Sequence, residues 1–352
     1  MARKSRVHKC ALSCTLCCFA ILFGLSISKR GSQTADSELL DGKLRKVHKY
    51  FITGDSFRGL CRWRCESRSW REPLCNFAVE DVVPGDCIFV ATTNLSTFAQ
   101  TTAYLHAFDS IRTRLDVPYV LVTHNGDLST PVGDTWHPNE SDEWRENFLT
   151  WFDDAMLVHW FAVNCNWQSQ KPTRLSCIPL GLENDYIDAA RRPLTLGWKL
   201  APRAKGEQVL LAFDSEASKP DRAIAIDALT DRPFITNTRA SSYSEWVQLV
   251  LDHAFVICPH GHGLDTHRHW EVLLLGSVPV VKTSTLDEMF DTLPVVILQN
   301  WTDLSVELLQ SWRTHHQAKV SLEAAFMPFW KKKISEAMSR ARAIKHREEF
   351  DN

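Results

Sequence analysis

Apolar runs typical of buried strands alternate with segments of helical spacing along the first half of the chain. The predicted strands end in polar loops, and a helix is predicted between the second and third of them. The strands are KYFITGD (49–55), DCIFVATT (86–93), PYVLVTHNGD (118–127) and LSCIPLGLEN (175–184), and the helix is FAQTTAYLHAFDSI (98–111). Apolar strands separated by helical segments are typical of a parallel sheet with crossover connections.

The alternation restarts after residues 185–207, where arginines and prolines interrupt it and a linker is predicted. The predicted strands are QVLLAFD (208–214), PFITNTR (233–239), AFVIC (254–258), VPVV (278–281) and PVVILQN (294–300). The predicted helices are SKPDRAIAIDAL (218–229), SYSEWVQLVLDH (242–253), residues 265–275 and TDLSVELLQSW (302–312). A charged amphipathic helix follows from about residue 320 to 349, and we expect it to pack against the first half. The pattern predicts an α/β fold with two Rossmann-like domains facing a cleft.

Residues 10–28 form a run of 19 positions without a charge. As a helix, this run spans about 28 Å, enough to cross a thin bilayer. Basic residues precede it at Arg3, Lys4, Arg6 and Lys9. This charge bias favours a cytosolic N-terminus and a single-pass type II protein in the Golgi or endoplasmic reticulum membrane. The alternative is a cleaved signal peptide with Ser26-Ile27-Ser28 as its small-residue site, which also sends the body into the secretory pathway.

The predicted segments follow from this run and from the two α/β patterns. They are a cytosolic tail (1–9), a transmembrane signal anchor (10–28), a stem (29–48), an N-terminal α/β domain (49–195), a C-terminal α/β domain (205–318) and a C-terminal helix (319–352).

Cysteine usage agrees with an oxidising compartment. Cys61, Cys65, Cys75 and Cys87 fall within 27 residues, and their uneven spacing is poor for zinc. At least one disulfide is therefore predicted among them. The later cysteines are Cys165, Cys177 and Cys258, so the number beyond the apolar run is odd and at least one thiol is expected to stay outside an intramolecular bridge. Sequons at Asn94, Asn139 and Asn300 support a luminal location weakly.

Overall composition narrows the classes of function. A net charge of −2 gives no global field that would favour nucleic acid, so no nucleic-acid partner is expected. Tryptophan is abundant, with 13 residues in the chain. Five of them lie within 32 residues, at Trp136, Trp144, Trp151, Trp160 and Trp167. Core packing is the leading interpretation, and stacking on a sugar or base in a cleft is the alternative.

The stretch PHGHGLDTHRHWEVLLLGSVPVV, residues 259–281, carries most of the candidate chemistry. Gly261 and Gly263 lie in a loop between a predicted strand and a predicted helix, where backbone N–H groups and the helix dipole favour an anion. Glycine permits unusual backbone angles and close approach to a ligand. Arg268 and Glu271 are three residues apart, so they share one helix face near its start. An arginine there suits a phosphate, and a carboxylate suits a ribose diol.

A metal site is the competing interpretation, because four histidines lie in this stretch at positions 260, 262, 267 and 269. His267 and His269 are about 200° apart around a helix, so they cannot face one ion. No acidic residue is spaced to complete a mononuclear hydrolase site. We therefore expect no metal, and a plain glycine-rich turn with exposed histidines is the remaining alternative.

The run of a strand, Pro-x-Gly-x-Gly-Leu-Asp-x-x-Arg-x-Trp-Glu and then Gly-x-x-Pro-Val-Val resembles the exostosin-type glycosyltransferases. The segments LVTHNGD, HWFAVN and IPLGLEN are similar to membrane-anchored relatives of that group, and the resemblance covers about residues 50–310. It implies a GT-B fold, a hexosyl or pentosyl transferase, and a nucleotide-sugar donor, with a UDP-sugar as the leading expectation. It implies no obligatory metal or other cofactor, and a glycan or glycoprotein acceptor on the side of the N-terminal domain.

The resemblance also implies roles for individual residues. Arg268 would contact the diphosphate and Glu271 the ribose. His269 stands where related sequences often have threonine, which puts the local contacts in doubt. The expected nucleotide-sugar-binding residues are Gly261, His262, Gly263, Asp265, Arg268 and Glu271.

An inverting transfer also needs a base from the opposite domain. Asp127 and His124, in the loop after PYVLV, are the leading candidates, and Asp55 and Glu183 also lie at predicted strand ends. Lys282 follows VPVV and is either a phosphate contact or a solvated lysine. The rival functions are a non-catalytic luminal sugar-binding protein that kept the fold and a metal-dependent hydrolase.

The apolar run yields a topological prediction. In sealed microsomes, protease added from the cytosolic side should leave the large domain intact, because residues 10–28 anchor the chain with its body in the lumen. Digestion of the large domain without detergent would show that this orientation is wrong.

Overall fold

Two five-stranded sheets, parallel throughout, form the framework of the protein, as a computed structural model shows. The first sheet has the spatial order β1 (Trp63–Cys65), β2 (Cys87–Ala91), β3 (Tyr119–His124), β5 (Leu157–Val163) and β7 (Leu175–Ile178). The second has the order β12 (Val296–Leu298), β11 (Val278–Lys282), β10 (Phe255–Ile257), β8 (Val209–Leu211) and β9 (Ile235–Asn237). Two short strands, β4 (Thr130–Pro131) and β6 (Cys165–Asn166), pair separately. The predicted mixed α/β class with parallel sheets is therefore confirmed, and the sheets are consistent with Rossmann-like folds.

The structure describes residues 50–66, 75–92, 103–133, 147–184, 208–213, 219–315 and 320–350. The predicted anchor, stem and linker, and the sequons at Asn94 and Asn139, lie outside these residues. Within the described ranges, no helix combines the length and apolar character needed to cross a bilayer.

The helices follow capping signals in the sequence. They are α1 (Gly54–Arg58), α2 (Ala103–Arg112), α3 (Pro220–Leu229), α4 (Tyr243–Asp252), α5 (His267–Leu274), α6 (Asp287–Phe290), α7 (Val306–His315) and α8 (Met327–Phe350). Short 3₁₀ turns cover Val79–Asp81, Leu149–Asp153, Trp301–Asp303 and Glu323–Ala325. Ser242 caps α4 by accepting a hydrogen bond from the Glu245 amide, and Gly276, at φ 75°, ends the turn after α5.

The prediction of a strand at residues 49–55 is wrong. Phe51 and Thr53 make only single β-bridges, and the Thr53 side chain accepts a hydrogen bond from the Ser56 amide at the start of α1. The Ser56 hydroxyl accepts in turn from the Thr53 amide, and this reciprocal capping starts a helix where the apolar run predicted a strand. Strands β1, β4, β5 and β6 were not predicted as strands; in β5, His159 interrupts the apolar pattern.

Two of the clustered tryptophans lie in the core of the first half. The rings of Trp151 and Trp160 stack with their centroids 5.0 Å apart, and both side chains are buried. The Trp160 indole N–H donates to the Thr123 hydroxyl at 3.0 Å, which satisfies the polar atom inside the core. These two residues have the packing role that we expected as the leading interpretation. Trp136 and Trp144 lie outside the described residues.

Helix α8 packs against β3 and β5 of the first sheet, as the amphipathic pattern predicts. Its buried face consists of Trp330, Ile334, Ala337 and Ala341, spaced three or four residues apart. The last helix of the chain therefore completes the core of the first half. The second sheet has its own buried cluster, which includes Phe255, Trp301 and Trp312.

The predicted disulfide cluster is confirmed and contains two bridges, Cys61–Cys87 and Cys65–Cys75. A third bridge joins Cys165 to Cys177. Among the described cysteines, Cys258 is free, and its side chain is buried. Three disulfides are compatible with a secreted or luminal protein.

This pairing can be mapped by mass spectrometry under non-reducing conditions. Trypsin alone leaves Cys75 and Cys87 in one peptide, residues 72–112, so a second cut after Glu80 is needed to separate them. We expect Cys61 linked to Cys87, Cys65 linked to Cys75, and Cys258 alkylated only after denaturation because it is buried. Exchanged partners, or free thiols in the cluster, would contradict the prediction.

Candidate functional site

The loop after β10 joins the carboxyl-terminal ends of the two sheets. The Asp265 carboxylate accepts a hydrogen bond from the Leu180 amide at 2.7 Å, and the Asn164 side-chain oxygen accepts one from the Asp265 amide at 2.7 Å. The ring of His267 is hydrogen-bonded through Nδ1 to the Gly181 carbonyl at 2.7 Å. These contacts bring the loops after β5, β7 and β10 together, so residues far apart in sequence form one site.

Asp265 is buried, with 1% of its surface exposed, and its carboxylate is surrounded by donors. Besides the Leu180 amide, it accepts from the Thr266 amide at 2.8 Å and from the Trp270 indole at 2.8 Å and 3.0 Å. The His269 ring nitrogen Nδ1 lies 2.6 Å from it. The carboxylate therefore holds the loop in shape and attaches it to the first half. A direct contact with a ligand, as predicted for Asp265, would require some of these bonds to break.

Arg268 lies on the side of α5 that faces α4 and the end of β8. Its guanidinium carbon is 4.4 Å from the centre of the Trp246 ring and 5.5 Å from that of Phe213. One of its N–H groups donates to the Ala212 carbonyl at 2.8 Å. Burial lowers the pKa of Arg268, while the neighbouring Glu271 carboxylate opposes this. Arginine remains charged in such a place, so the site carries a fixed cation between two aromatic rings.

Glu271 shares this side of the helix, as its three-residue spacing from Arg268 predicts. Its two oxygens accept hydrogen bonds from the Tyr243 hydroxyl at 2.8 Å and the Trp246 indole at 2.9 Å. Burial raises the pKa of Glu271, and these two bonds oppose that change. A carboxylate has about four acceptor positions, so two remain for a ligand.

Tyr243 and Trp246 were not among the predicted site residues. Their signal was present in the helix SYSEWVQLVLDH, because residues three apart lie on one helical face and this face meets α5.

The loop between β10 and α5, residues 258–266, is called the glycine loop because it contains Gly261 and Gly263. It agrees with the sequence prediction in part. A Cβ atom at Gly263 would lie 2.5 Å from the side-chain nitrogen of Asn164, so this position needs glycine for close approach. Neither Gly261 nor Gly263 has a positive φ. The Gly261 amide donates to the Gly263 carbonyl at 3.0 Å, which closes the turn. His262, between them, is exposed.

The two leading base candidates occupy different environments. His124 is 1% exposed; its Nδ1 accepts from the Asn125 amide at 2.7 Å and its Nε2 lies 3.0 Å from the Pro179 carbonyl. This pattern defines a neutral ring with its proton on Nε2. Burial lowers the pKa of His124 to about 4. Both nitrogens are occupied, so this geometry argues against the predicted role of His124 as a base.

Asp127 is placed differently. Its carboxylate oxygen lies 3.9 Å from Nδ1 of His262, and both side chains are nearly half exposed. The loop after β3, from the first sheet, and the glycine loop, from the second, therefore meet at this pair. Of the two leading base candidates, Asp127 is therefore the one whose proton-accepting group is accessible.

A second histidine–carboxylate pair crosses the same junction. Nε2 of His267 lies 3.1 Å from a carboxylate oxygen of Glu183, and Nδ1 is hydrogen-bonded to the Gly181 carbonyl. Both partners are acceptors, so the ring carries two protons and is a cation. Burial lowers the pKa of His267, but the hydrogen bond and charge of Glu183, the hydrogen bond to the Gly181 carbonyl and the charge of Glu271 together outweigh burial and raise it to about 9. The same hydrogen bond lowers the pKa of Glu183, which weakens it as a base.

His269 points elsewhere, as its position on the helix predicts. Its ring lies between the Asp265 carboxylate and the Cys258 carbonyl, whereas His267 faces the first half. Within the part of the chain that the structure describes, no three His, Cys, Asp or Glu side chains form a group that could hold a metal ion.

The remaining candidates have local partners. Asp55 lies 3.6 Å from Arg58 on α1. Lys282 lies 3.7 Å from Asp221, a buried carboxylate at the start of α3 that also accepts from the His260 amide at 3.0 Å. Lys282 therefore lies close to the glycine loop, held by an acidic neighbour.

Compared with known proteins, the chain matches no protein-family model and no curated protein sequence. The similarity to exostosin-type enzymes therefore rests on the motifs themselves, and the function has to be argued from the chemistry of the site.

The His267–Glu183 pair predicts a pH-dependent contribution to stability. The pKa of His267 is raised to about 9, so its contribution is complete below its unfolded value of about 6.5 and is lost as pH rises through about 9. The pKa of Glu183 is lowered, so its contribution is lost as pH falls below about 4.5. His267→Gln should therefore lower the melting temperature more at pH 6 than at pH 9.5, as measured by differential scanning calorimetry.

His262→Gln is the matched control, because its carboxylate partner Asp127 is 3.9 Å away and both side chains are more exposed. It should lower the melting temperature less than His267→Gln does at pH 6. An equal loss at pH 6 and pH 9.5 for His267→Gln would refute the charged pair.

Proposed function

We propose that the protein is a glycosyltransferase of the GT-B type that transfers a sugar from a nucleotide-diphosphate donor, a UDP-sugar first of all, to a glycan or glycoprotein acceptor in the secretory pathway. The observation that carries the proposal is the pairing of Arg268 and Glu271 beside Trp246, next to a glycine loop that meets Asp127 from the other sheet. A cation, a carboxylate and an aromatic ring at a strand–loop–helix junction suit a nucleotide diphosphate.

The distribution of charge supports a donor on the side of the second sheet. Arg268 is a buried cation there; burial lowers its pKa, and the charge of Arg222 lowers it further. Lys282 is a third cation next to the glycine loop. The loop after β3 in the first sheet contributes an accessible carboxylate instead, Asp127. A diphosphate is therefore favoured on one side and a proton acceptor on the other.

The proposed reaction divides the work between the two sheets. The bond between the sugar C1 and the diphosphate oxygen breaks, and the electron pair leaves with the diphosphate. Arg268 stabilises this growing negative charge, together with the dipole at the start of α5. In an inverting reaction, Asp127 takes the proton of the acceptor hydroxyl as its oxygen bonds to C1. Glu271 binds the ribose with the acceptor positions that Tyr243 and Trp246 leave open.

A panel of nucleotide sugars tests the proposal directly. The full-length protein in detergent should hydrolyse or transfer from one nucleotide sugar and keep its activity in excess EDTA. Binding without turnover would instead favour a non-catalytic sugar-binding protein. Activity that EDTA abolishes would favour a metal-dependent hydrolase.

Substitutions in the donor site should separate its two polar groups. Glu271→Gln keeps the shape but loses the anionic acceptor, so it should raise the donor KM and leave the acceptor KM unchanged. Arg268→Ala should lower kcat as well, because diphosphate charge grows in the transition state. Loss of a charge-assisted contact typically costs about 1.5–3 kcal/mol, roughly tenfold to a hundredfold or more in affinity or rate.

Two controls accompany these variants in steady-state kinetics. Tyr243→Phe removes one donor to Glu271 and keeps the ring, so its effect on the donor KM should be smaller. Arg313 lies on α7, and its guanidinium packs on the ring of Phe255, the first residue of β10. Arg313→Ala should therefore leave both KM values unchanged. If Glu271→Gln leaves donor kinetics at the wild-type level, the assignment of Glu271 to the donor is wrong.

A further inference from the structure

Asn164 occupies an unusual backbone position at the junction of the two sheets. It lies directly between β5 and β6, has φ 47°, and is fully buried. Only glycine adopts this left-handed region freely, and asparagine is one of the few other residues that tolerate it. From this position its side chain reaches two other loops.

The side-chain amide of Asn164 joins the two sides of the proposed site. Its oxygen accepts from the Asp265 amide at 2.7 Å, in the loop after β10. Its nitrogen donates to the Gly126 and Asp127 carbonyls, each at 3.3 Å, in the loop after β3. Gly263 packs so closely on this amide that a Cβ atom would overlap it. One buried side chain therefore contacts both the loop after β3, which carries Asp127, and the glycine loop after β10.

We propose that Asn164 is a positioning residue that fixes the separation between Asp127 and the glycine loop, and so sets the distance over which the acceptor hydroxyl meets the donor sugar. The catalytic consequence rests on the proposed glycosyl transfer, whereas the bridge itself does not. Misplacing a reacting group by about 1 Å can reduce a rate on the order of a hundredfold. Asn164 acts through Asp127 and the loop, and it touches neither substrate.

The bridge needs an amide because it uses a donor and an acceptor at once. Aspartate has nearly the same shape and would keep the acceptor for the Asp265 amide, but it would lose the donors and put a negative charge next to two carbonyl oxygens. Glycine would keep the left-handed backbone without strain and remove the whole bridge. Asn164→Asp therefore removes the donor half of the bridge, and Asn164→Gly removes both halves. Asn237→Gly, at an exposed position on β9, is the matched control.

Amide hydrogen exchange tests the bridge without any assumption about activity. In Asn164→Gly the Asp265 amide should exchange at least about tenfold faster, because it loses its acceptor. In Asn164→Asp this amide should stay near the wild-type rate, while residues 125–128 exchange faster in both variants. Equal exchange at all these positions in the wild type and both variants would overturn the bridge. Asn237→Gly should change neither segment.

Kinetics then test the positioning role. Both Asn164 variants should lower kcat by at least about tenfold, while the donor KM stays within twofold, because Arg268 and Glu271 remain in place. A parallel change in kcat and donor KM, or an unchanged kcat, would overturn the role of Asn164. A wild-type chain that transfers no sugar would overturn the proposed function instead, and the exchange pattern would still decide whether the bridge exists.

Discussion

The junction between the two sheets depends on one buried carboxylate. Removing a carboxylate from water costs several kcal/mol, on the order of what whole domains have as net stability, unless donors replace the lost hydration. The chain supplies these donors from both halves, since the Leu180 amide comes from the first and the Trp270 indole from the second. Asp265 is thus stabilised fully only when the two halves are in contact. The geometry of the candidate site therefore depends on an interaction that contains no proposed catalytic group.

Histidines near this junction show how the same side chain takes different charges in different surroundings. His267 bonds to two acceptors and is a cation, whereas His124 accepts one amide and is neutral. Burial also lowers the pKa of His260 to about 4, although the nearby Asp221 carboxylate opposes this. A metal site would need several neutral rings pointing to one place. These rings instead have different partners: Pro179 and Asn125 for His124, Glu183 for His267 and Asp221 for His260.

Local patterns predicted much of this structure, and contacts between distant segments could not be predicted in the same way. The apolar runs at β2, β3, β10 and β11 and the three-residue spacing of Arg268 and Glu271 are properties of single segments, and both predictions agree with the structure. The strand predicted at residues 49–55 failed because the hydrogen bonds between Thr53 and Ser56 outweighed its apolar pattern. His124 was a plausible base until its partners Pro179 and Asn125 were known. Asn164 ends the segment HWFAVN, which carries part of the resemblance, but the sequence predicted no role for it, because its importance comes from a backbone angle and from two loops that meet only in the folded chain.

The path of the chain constrains the order in which this protein can fold. Helix α8 is the last element of the chain, yet it covers β3 and β5, which were synthesised some 170 to 200 residues earlier. During synthesis the first sheet therefore emerges with one apolar face uncovered and must wait for the second sheet to be completed before Trp330 and Ile334 arrive. Exposed strands in such a nascent chain are hazards for aggregation. The packing of α8 is thus a late folding step on which the first sheet depends. A truncation that removes α8 would damage the half of the protein farthest from it in sequence.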